Sequence, residues 1–417
     1  MPKALRLSVL GAGCLIVPCG ILGIWLAQPF GGASRFVAIG AIGSVGALGL
    51  WALSSRRAVP VTYKQCRRAL HLQSEGMLAE ALTEYERLIP RLRGIKTDEG
   101  RDVLAMLLLN CGVAMRDLGR NSDSLQLFDE LAALSGDLAD LRGRSYLGKA
   151  LLNRELLLAT MGDLEAAIQT AEEVIGRFGR FPEPSLRGLA STALLHEGVF
   201  QARAGRYFEA IAAYDRLTDQ FDHDCDWTVR QDVASATYNK GKALSDLGRH
   251  SEAVIEFRRV VETFADVAEA AQLVAHARIN EGDSLMKLDR PAEALSPLDA
   301  VVQSLAEADD ARLRAEAGRA LTNKGNALVR MGRDEEAVLV YEHVIDSFRD
   351  NPFAAEDVAI ARVNLAGILC RSGRSDEGLK MCHELPKQIK GISENLERSL
   401  LDAVARLERE CADSAGG

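Results

Sequence analysis

The sequence predicts an all-α protein in which two N-terminal transmembrane helices precede an α-solenoid of about eight helical hairpins and a C-terminal capping helix. Two observations lead to this prediction. A pattern marked by glycine recurs about every 43 residues, and two uncharged apolar runs, at 7–27 and 36–53, precede the first repeat. The composition agrees, because 47% of the residues are hydrophobic and only 5% are aromatic, which favours a helical array over a sandwich or barrel.

Each repeat is built around a turn residue that separates two amphipathic helices. A glycine there can take the left-handed conformation that ends a helix, and an acidic residue four positions later favours the positive end of the second helix. Small residues on both helices allow the axes to approach closely. One hairpin cannot cover its own apolar face, so the hairpins must stack. The turn residues are Gly76, Gly119, Gly162, Gly205, Gly248, Asp289, Gly332 and Gly373.

The seventh repeat carries the whole pattern, at Asn323, Gly325, Gly332, Glu336, Ala337 and Tyr341. This pattern resembles the tetratricopeptide repeat, although the period of about 43 residues is longer than the 34 of the standard repeat. The extra residues fit a polar loop and about two added turns of the first helix. The resemblance extends over about eight repeats. It implies a right-handed solenoid whose first helices line a groove for protein or peptide partners.

The two apolar runs predict a membrane anchor, since each can cross a bilayer as a helix, which takes about 17–25 residues. Lys3 and Arg6 precede the first run, Arg56 and Arg57 follow the second, and the connection between the runs offers only Arg35. Because basic residues stay on the cytoplasmic side, we expect a multi-pass protein of the plasma (inner) membrane, with its N-terminus and repeat domain cytoplasmic.

The second apolar run also raises the question of self-association. Small residues at Gly40, Gly43, Ser44 and Ala47 allow close helix packing in lipid, either against the first run or between two copies in a homodimer. The alternative to an anchor is a secreted or lipid-anchored protein, because small residues precede Cys14. That alternative is disfavoured, since the apolar sequence is too long for a signal peptide.

The predicted domains are a transmembrane hairpin at 1–55, the solenoid at 56–392, and a capping helix with a tail at 393–417. Beyond the last hairpin, apolar residues at Leu396, Leu400, Val404 and Leu407 form one stripe of a helix whose other face is charged. Such a helix can cover the last apolar face of a solenoid.

The sequence predicts no enzyme, no metal and no cofactor. It contains no GxxxxGK[ST], HExxH or GxSxG motif. The run 222–226 holds three aspartates with His223 and Cys225, but consecutive residues cannot all converge on one ion, so a solvated loop is favoured. The eight cysteines are scattered, which fits small core residues better than a disulfide framework.

The charge argues against nucleic acid as a partner. The net charge is −9, and the first 53 residues contribute three basic residues and no acid, so the remainder carries −12. A nucleic-acid interface needs a basic surface. We therefore expect protein or peptide partners, with contact to the lipid bilayer through residues 7–53.

The resemblance also indicates where partners bind. It implies that the first-helix residues that lie ten, six, three and two positions before each turn face the groove. This predicts an apolar wall in repeats two to four and a polar wall in repeats five to seven. A clamp for a terminal carboxylate, built in some family members six positions before the turn, is not predicted, because only Asn326 matches it. The candidate groove residues are Leu109, Val113, Leu152, Leu156, Leu195, Val199, Tyr238, Lys242, Asp283, Lys287, Asn326 and Arg330.

Together these features predict a membrane-anchored scaffold or adaptor that binds protein or peptide partners on the cytoplasmic face. The alternative function is a structural protein that assembles with itself at the membrane. Catalysis in the groove has no motif to support it.

Overall fold

The computed structural model describes residues 63–95, 97–134, 140–388 and 393–415. Within these ranges the chain forms seventeen α-helices and a 3-10 turn at Ala268–Ala270, without a strand. The helices are α1 (Tyr63–Ser74), α2 (Leu78–Leu92), α3 (Asp98–Asp117), α4 (Asn121–Ala133), α5 (Leu141–Thr160), α6 (Leu164–Phe178), α7 (Pro184–Arg203), α8 (Tyr207–Phe221), α9 (Trp227–Asp246), α10 (His250–Phe264), α11 (Ala271–Lys287), α12 (Pro291–Leu305), α13 (Ala311–Arg330), α14 (Asp334–Phe348), α15 (Ala355–Arg371), α16 (Ser375–Gln388) and α17 (Glu394–Ala415).

The first sixteen helices pair into eight hairpins, and α17 follows the last of them. Every predicted turn residue has a positive φ, between 71° and 90° for the seven glycines and 57° for Asp289. An L-residue with a side chain adopts this conformation at a cost, and aspartate tolerates it better than most residues. The prediction of eight hairpins, made from the spacing of these residues, is therefore confirmed.

Close packing inside each hairpin depends on a glycine of the first helix. A Cβ atom on Gly198 would lie 2.3 Å from Cε1 of Tyr214, and one on Gly325 would lie 2.4 Å from the same atom of Tyr341. Tyr214 and Tyr341 are almost fully buried. The rings therefore lie against the glycine of their own hairpin, rather than only filling space towards the next one.

The ends of the helices follow local chemistry. Asp140 Oδ1 accepts a hydrogen bond from the Gly143 backbone N–H at 2.8 Å at the start of α5, as expected for an N-cap aspartate. The second helices begin directly after the turn. In five hairpins, the arginine that follows the turn residue pairs with the acidic residue three positions later: Arg120 with Asp123, Arg249 with Glu252, Arg290 with Glu293, Arg333 with Glu336 and Arg374 with Glu377. Arg333, for example, donates two hydrogen bonds to the Glu336 carboxylate, at 2.6 and 2.7 Å.

The chain divides into two compact units, and the boundary falls at Ala236 and Thr237, inside α9. In unit 1, the side before this boundary, one core runs from Cys66 to Ala236. In unit 2, the side after it, one core runs from Val254 to Leu369. The predicted boundaries at 1–55, 56–392 and 393–417 stay predictions.

The C-terminal helix packs as its apolar stripe predicts. Leu400 and Val404 of α17 are buried against α15 and α16, in a small cluster with Cys382 and Leu385. Cys66, Cys111 and Cys382 are free and buried, as expected for small core residues, whereas Cys225 is free but exposed and Cys370 is disulfide-bonded.

The transmembrane part of the predicted fold is wrong. Over the described ranges, every helix is too short or too polar to cross a bilayer. This finding overturns both the two-span fold class and the multi-pass plasma-membrane localisation. The segments 7–27 and 36–53, with the contact to lipid and the homodimer predicted there, lie outside the described residues.

Candidate interaction surface

The first helices of successive hairpins contact one another within each unit. In unit 1, α5 packs against both α3 and α7, and in unit 2, α13 packs against both α11 and α15. Most first helices have 20 residues and most second helices 15. Within each unit the first helices therefore form a layer, and the face of this layer is the surface on which the sequence placed its candidate residues.

The apolar candidates of unit 1 lie largely inside the core. Leu109, Val113, Leu195 and Val199 are all at most 3% exposed, and Leu152 and Leu156 are half-buried. Side chains covered by neighbouring helices cannot meet a partner without a rearrangement. Binding of a partner to the remaining apolar surface of unit 1 stays a prediction.

The polar candidates of unit 2 are more accessible. Lys242 and Asn326 are half-buried, and Asp283, Lys287 and Arg330 are exposed. Tyr238 is buried, and its hydroxyl oxygen accepts a hydrogen bond from Asn280 Nδ2 at 2.8 Å. Unit 2 thus brings five of its six candidates to an accessible face.

Lys242 lies beside the ring of Tyr238. The Lys242 ammonium stands 5.9 Å from the centre of the Tyr238 ring, within the range of a cation–π contact. Burial lowers the pKa of Lys242, and Asp246 opposes that shift. A partially desolvated ammonium beside an aromatic ring can attract an anionic group of a partner.

Arg319 lies close enough to the candidate residues of unit 2 for its charge to act on Lys242 and Asp283, and the sequence did not predict it. Its Nη1 stands 3.3 Å from Glu316 Oε2, and its side chain remains 40% exposed. Burial raises the pKa of Asp283 to about 6 even though this residue keeps solvent access, and the charges of Arg319 and Lys287 oppose the shift. Burial likewise raises the pKa of Asp357 to about 7, again against Arg319.

The position of Arg319 explains why it was missed. It lies thirteen residues before the turn at Gly332, and Glu316 lies sixteen before it. Arg319 therefore lies outside the four positions, ten, six, three and two before the turn, from which the groove residues were predicted. The signal in the sequence was the continuation of the first helix on its N-terminal side, which extends the face beyond those four positions.

Asparagines of the repeat connect neighbouring first helices. Asn323 Nδ2 donates to Asp283 Oδ1 at 2.7 Å, and Asn364 Nδ2 donates to Asn326 Oδ1 at 2.8 Å. Arg330 Nη1 donates to the Met286 carbonyl oxygen at 2.6 Å. These bonds fix the spacing of the face, so the asparagines hold the helices together.

A second group of polar residues, the buried polar cluster of Glu155, Ser191, Thr192, His196 and Asp232, lies inside unit 1. His196 Nδ1 and Glu155 Oε1 are 2.5 Å apart. Asp232 Oδ2 accepts hydrogen bonds from the hydroxyls of Ser191 at 2.7 Å and Thr192 at 2.9 Å. These five residues are at most 4% exposed.

Burial sets the protonation of the buried polar cluster. It raises the pKa of Glu155 well above its usual value and lowers the pKa of His196 to about 4. Both shifts favour a neutral pair, in which the Glu155 carboxylic acid donates to Nδ1. Burial also raises the pKa of Asp232 to about 6, against the two hydroxyl bonds. The cluster is closed to partners, and its effect is on stability.

The acidic loop at 222–226 is a helix cap. Asp226 Oδ1 accepts from the Thr228 backbone N–H at 2.9 Å at the start of α9, and Asp224 forms an ion pair with Arg187. Among the described residues, no group of three or more His, Cys, Asp or Glu side chains is arranged to hold a metal ion.

Sequence models of the tetratricopeptide repeat match residues 156–225, 234–266 and 318–351. The chain therefore contains tetratricopeptide repeats. The match at 234–266 covers most of α9 and α10, and the match at 318–351 covers most of α13 and α14. The tetratricopeptide hairpins thus coincide with the helical hairpins of the fold. None of the curated proteins compared with the chain matches it.

Solved structures also resemble this helical array. The apo form of RapI is 13% identical, with a TM-score of 0.54, over 75% of this chain and 86% of that chain. A tetratricopeptide repeat protein from Parabacteroides merdae is 15% identical, with a TM-score of 0.41, over 72% of this chain and 97% of that chain. The similarity to RapI supports the helical fold alone.

Proposed function

We propose that this protein is a non-catalytic scaffold that binds a protein or peptide partner on the first-helix face of unit 2, around Lys242, Asp283, Arg319, Asn326 and Arg330. The observation that carries the proposal is the accessibility of these charged and amide groups on a face whose backbone is already fixed by helix packing. A preformed surface loses little conformational entropy on binding. The tetratricopeptide repeats support the same role.

The alternation of charge on this face favours a partner with matching charges. Lys242, Lys287, Arg319 and Arg330 are basic, whereas Asp246, Asp283 and Asp357 are acidic. Complementary charges guide association and reject wrong partners more than they raise affinity. We therefore expect binding to weaken as the salt concentration rises.

The test compares two double variants in affinity capture of the tagged protein followed by mass spectrometry. Lys242→Glu with Arg330→Glu reverses two charges on the proposed face. Lys380→Glu with Arg398→Glu makes the same change in net charge at exposed sites on α16 and α17. A partner lost only with the first pair supports the proposal, and a partner retained by both pairs contradicts it.

The alternative, self-assembly, is distinguished by light scattering during size-exclusion chromatography of the purified protein. The scaffold proposal expects a monomeric mass. A mass that increases with concentration, and that Lys242→Glu with Arg330→Glu returns to that of a monomer, would instead show that the face binds a second copy of the chain.

A further inference from the structure

Cys370, in the last turn of α15, is disulfide-bonded. The chain has eight cysteines, of which four are free: Cys66, Cys111, Cys225 and Cys382. Three candidates for the partner of Cys370 remain. Cys14 and Cys19 lie outside the described residues, whereas Cys411 falls in α17. The packing of α17 against α15 therefore bears on which cysteine pairs with Cys370.

The two helices α15 and α17 lie side by side and run in the same direction. Where both begin, the Ser393 backbone N–H donates a hydrogen bond to Glu356 Oε1 at 3.2 Å. Towards their other ends, a Cβ atom on Gly367 of α15 would lie 3.4 Å from Leu407 Cδ2 of α17. Because the two contacts come in the same order along both helices, the helices are parallel.

This register brings Cys370 and Cys411 to the same level. Cys370 lies three residues beyond Gly367, and Cys411 lies four residues beyond Leu407, which is about 4.5 Å and about 6 Å along the two helix axes. Residues three or four apart share one face of a helix. The Cys370 sulfur lies on the side of α15 that faces α16, since a Cβ atom on Gly378 would be 2.7 Å from it, and α17 packs against both of these helices. A disulfide needs two cysteines on adjacent backbone segments, and this placement supplies them.

The apolar contact that holds α17 is small. Among its described side chains, Leu400 and Val404 alone are buried. Leu407 is half-buried and lines the same cavity as Asn326 and Val329 of α13. The last helix thus covers one end of the first-helix layer of unit 2, next to a residue of the proposed interaction face.

We propose that Cys411 is the partner of Cys370, and that this disulfide is a redox-sensitive strap that holds α17 over the end of the first-helix layer. Forming the S–S bond removes two electrons and two protons from the two thiols, and oxidised glutathione accepts them as its own S–S bond breaks to give two thiols. A dithiol reverses the reaction and is itself oxidised to a disulfide. With the bond intact, α17 is attached at both ends, by the chain that follows α16 and by the disulfide. After reduction it is attached only at its start, and its small apolar contact must hold the rest.

The pairing is tested by mass spectrometry of the full-length protein. The protein is equilibrated with oxidised glutathione, unfolded in iodoacetamide to block free thiols, and digested with trypsin. We expect peptide 363–371 joined to peptide 410–417, and separation of the two by dithiothreitol. The proposal is overturned if Cys370 is joined to Cys14 or Cys19, or if it is alkylated.

Release of α17 is tested by hydrogen exchange. Dithiothreitol should speed exchange of the α17 amides by about tenfold or more and leave α3 and α5 unchanged, because an element held at one end opens locally more often. Cys411→Ser should show the fast exchange without reductant. Cys225→Ser, which removes a free and exposed thiol, should respond to dithiothreitol as the wild type does.

The strap is overturned if neither dithiothreitol nor Cys411→Ser changes exchange in α17, or if Cys225→Ser abolishes the response. Circular dichroism melting confirms that each variant folds. These measurements need no partner, so the strap can fail while the proposed scaffold function stands. Loss of a captured partner with Lys242→Glu and Arg330→Glu is likewise a separate result.

Discussion

Two glycines on α7 should respond in opposite ways to replacement by alanine. A Cβ atom on Gly198 would lie 2.3 Å from Tyr214 Cε1, whereas one on Gly188 would meet nothing within 4 Å. Non-bonded carbon atoms prefer separations of about 3.5–4.0 Å. Tyr214 is 1% exposed, so its ring cannot turn out into water. Gly198→Ala must therefore move the ring or separate α7 from α8 by about 1 Å.

The magnitudes follow from two opposing effects. Alanine stabilises a helix interior by roughly 0.5–1 kcal/mol relative to glycine, which is the whole effect expected for Gly188→Ala. Overpacking of a core costs typically about 1–3 kcal/mol. We therefore expect Gly188→Ala to increase the free energy of unfolding by about 0.5–1 kcal/mol, and Gly198→Ala to decrease it by about 1–2 kcal/mol net.

The assay is urea unfolding followed by circular dichroism, with hydrogen exchange to locate the change. Hydrogen exchange is needed because repeat arrays need not unfold in one step. In Gly198→Ala, protection from exchange should fall in α7 and α8. Tyr214→Leu should relieve the clash in the Gly198→Ala background. Gly282 and Leu298 form the equivalent native pair, and a Cβ atom on Gly282 would lie 3.1 Å from Leu298 Cδ2, farther than the 2.3 Å at Gly198. If Gly198→Ala were as stable as Gly188→Ala, the close packing of glycine and ring would not hold the hairpin together.

Three further substitutions test the turn and the buried polar cluster. Asp289→Gly should increase the free energy of unfolding by about 1 kcal/mol, because Asp289 holds a φ of 57° that glycine adopts without strain. Gly332→Asp should decrease the free energy of unfolding by about 1–2 kcal/mol in the same urea titration. Asp232→Asn should gain stability relative to the wild type as the pH rises from 4 to 7.5. The pKa of Asp232 is about 6 in the folded protein and about 3.9 when unfolded. The stability it contributes is therefore present below pH ~4 and lost as the pH rises through 6, by up to about 3 kcal/mol.

Each of these substitutions has its own control. Asp219→Asn removes an exposed carboxylate from α8 and should show no comparable change with pH. A constant difference between Asp232→Asn and the wild type from pH 4 to 7.5 would mean that Asp232 does not titrate as a buried group. A destabilised Asp289→Gly would mean that the aspartate side chain makes a contact more valuable than the relief of its backbone.

The sequence by itself determined the features that depend on neighbours along the chain. Glycines spaced 43 residues apart ended the first helices, since a left-handed residue is a local requirement of the backbone. The stripe at Leu400 and Val404 predicted the last helix for the same reason, because periodicity along one helix shows which side needs cover. Length and low charge predicted two membrane spans at 7–27 and 36–53, whereas every helix of the described residues is too short or too polar to cross a bilayer.

Only the tertiary structure decided which side chains remain accessible. Periodicity placed Leu195 and Lys242 on the same face, yet Leu195 is fully buried and Lys242 reaches solvent. The difference arises from the helices that pack over each residue, which lie tens of residues away in the chain. The charge of Arg319 likewise acts on Asp283 and Asp357, which belong to the neighbouring first helices. A repeat thus encodes its own hairpin locally, but the exposure and electrostatics of a site are set by neighbours that no single repeat specifies.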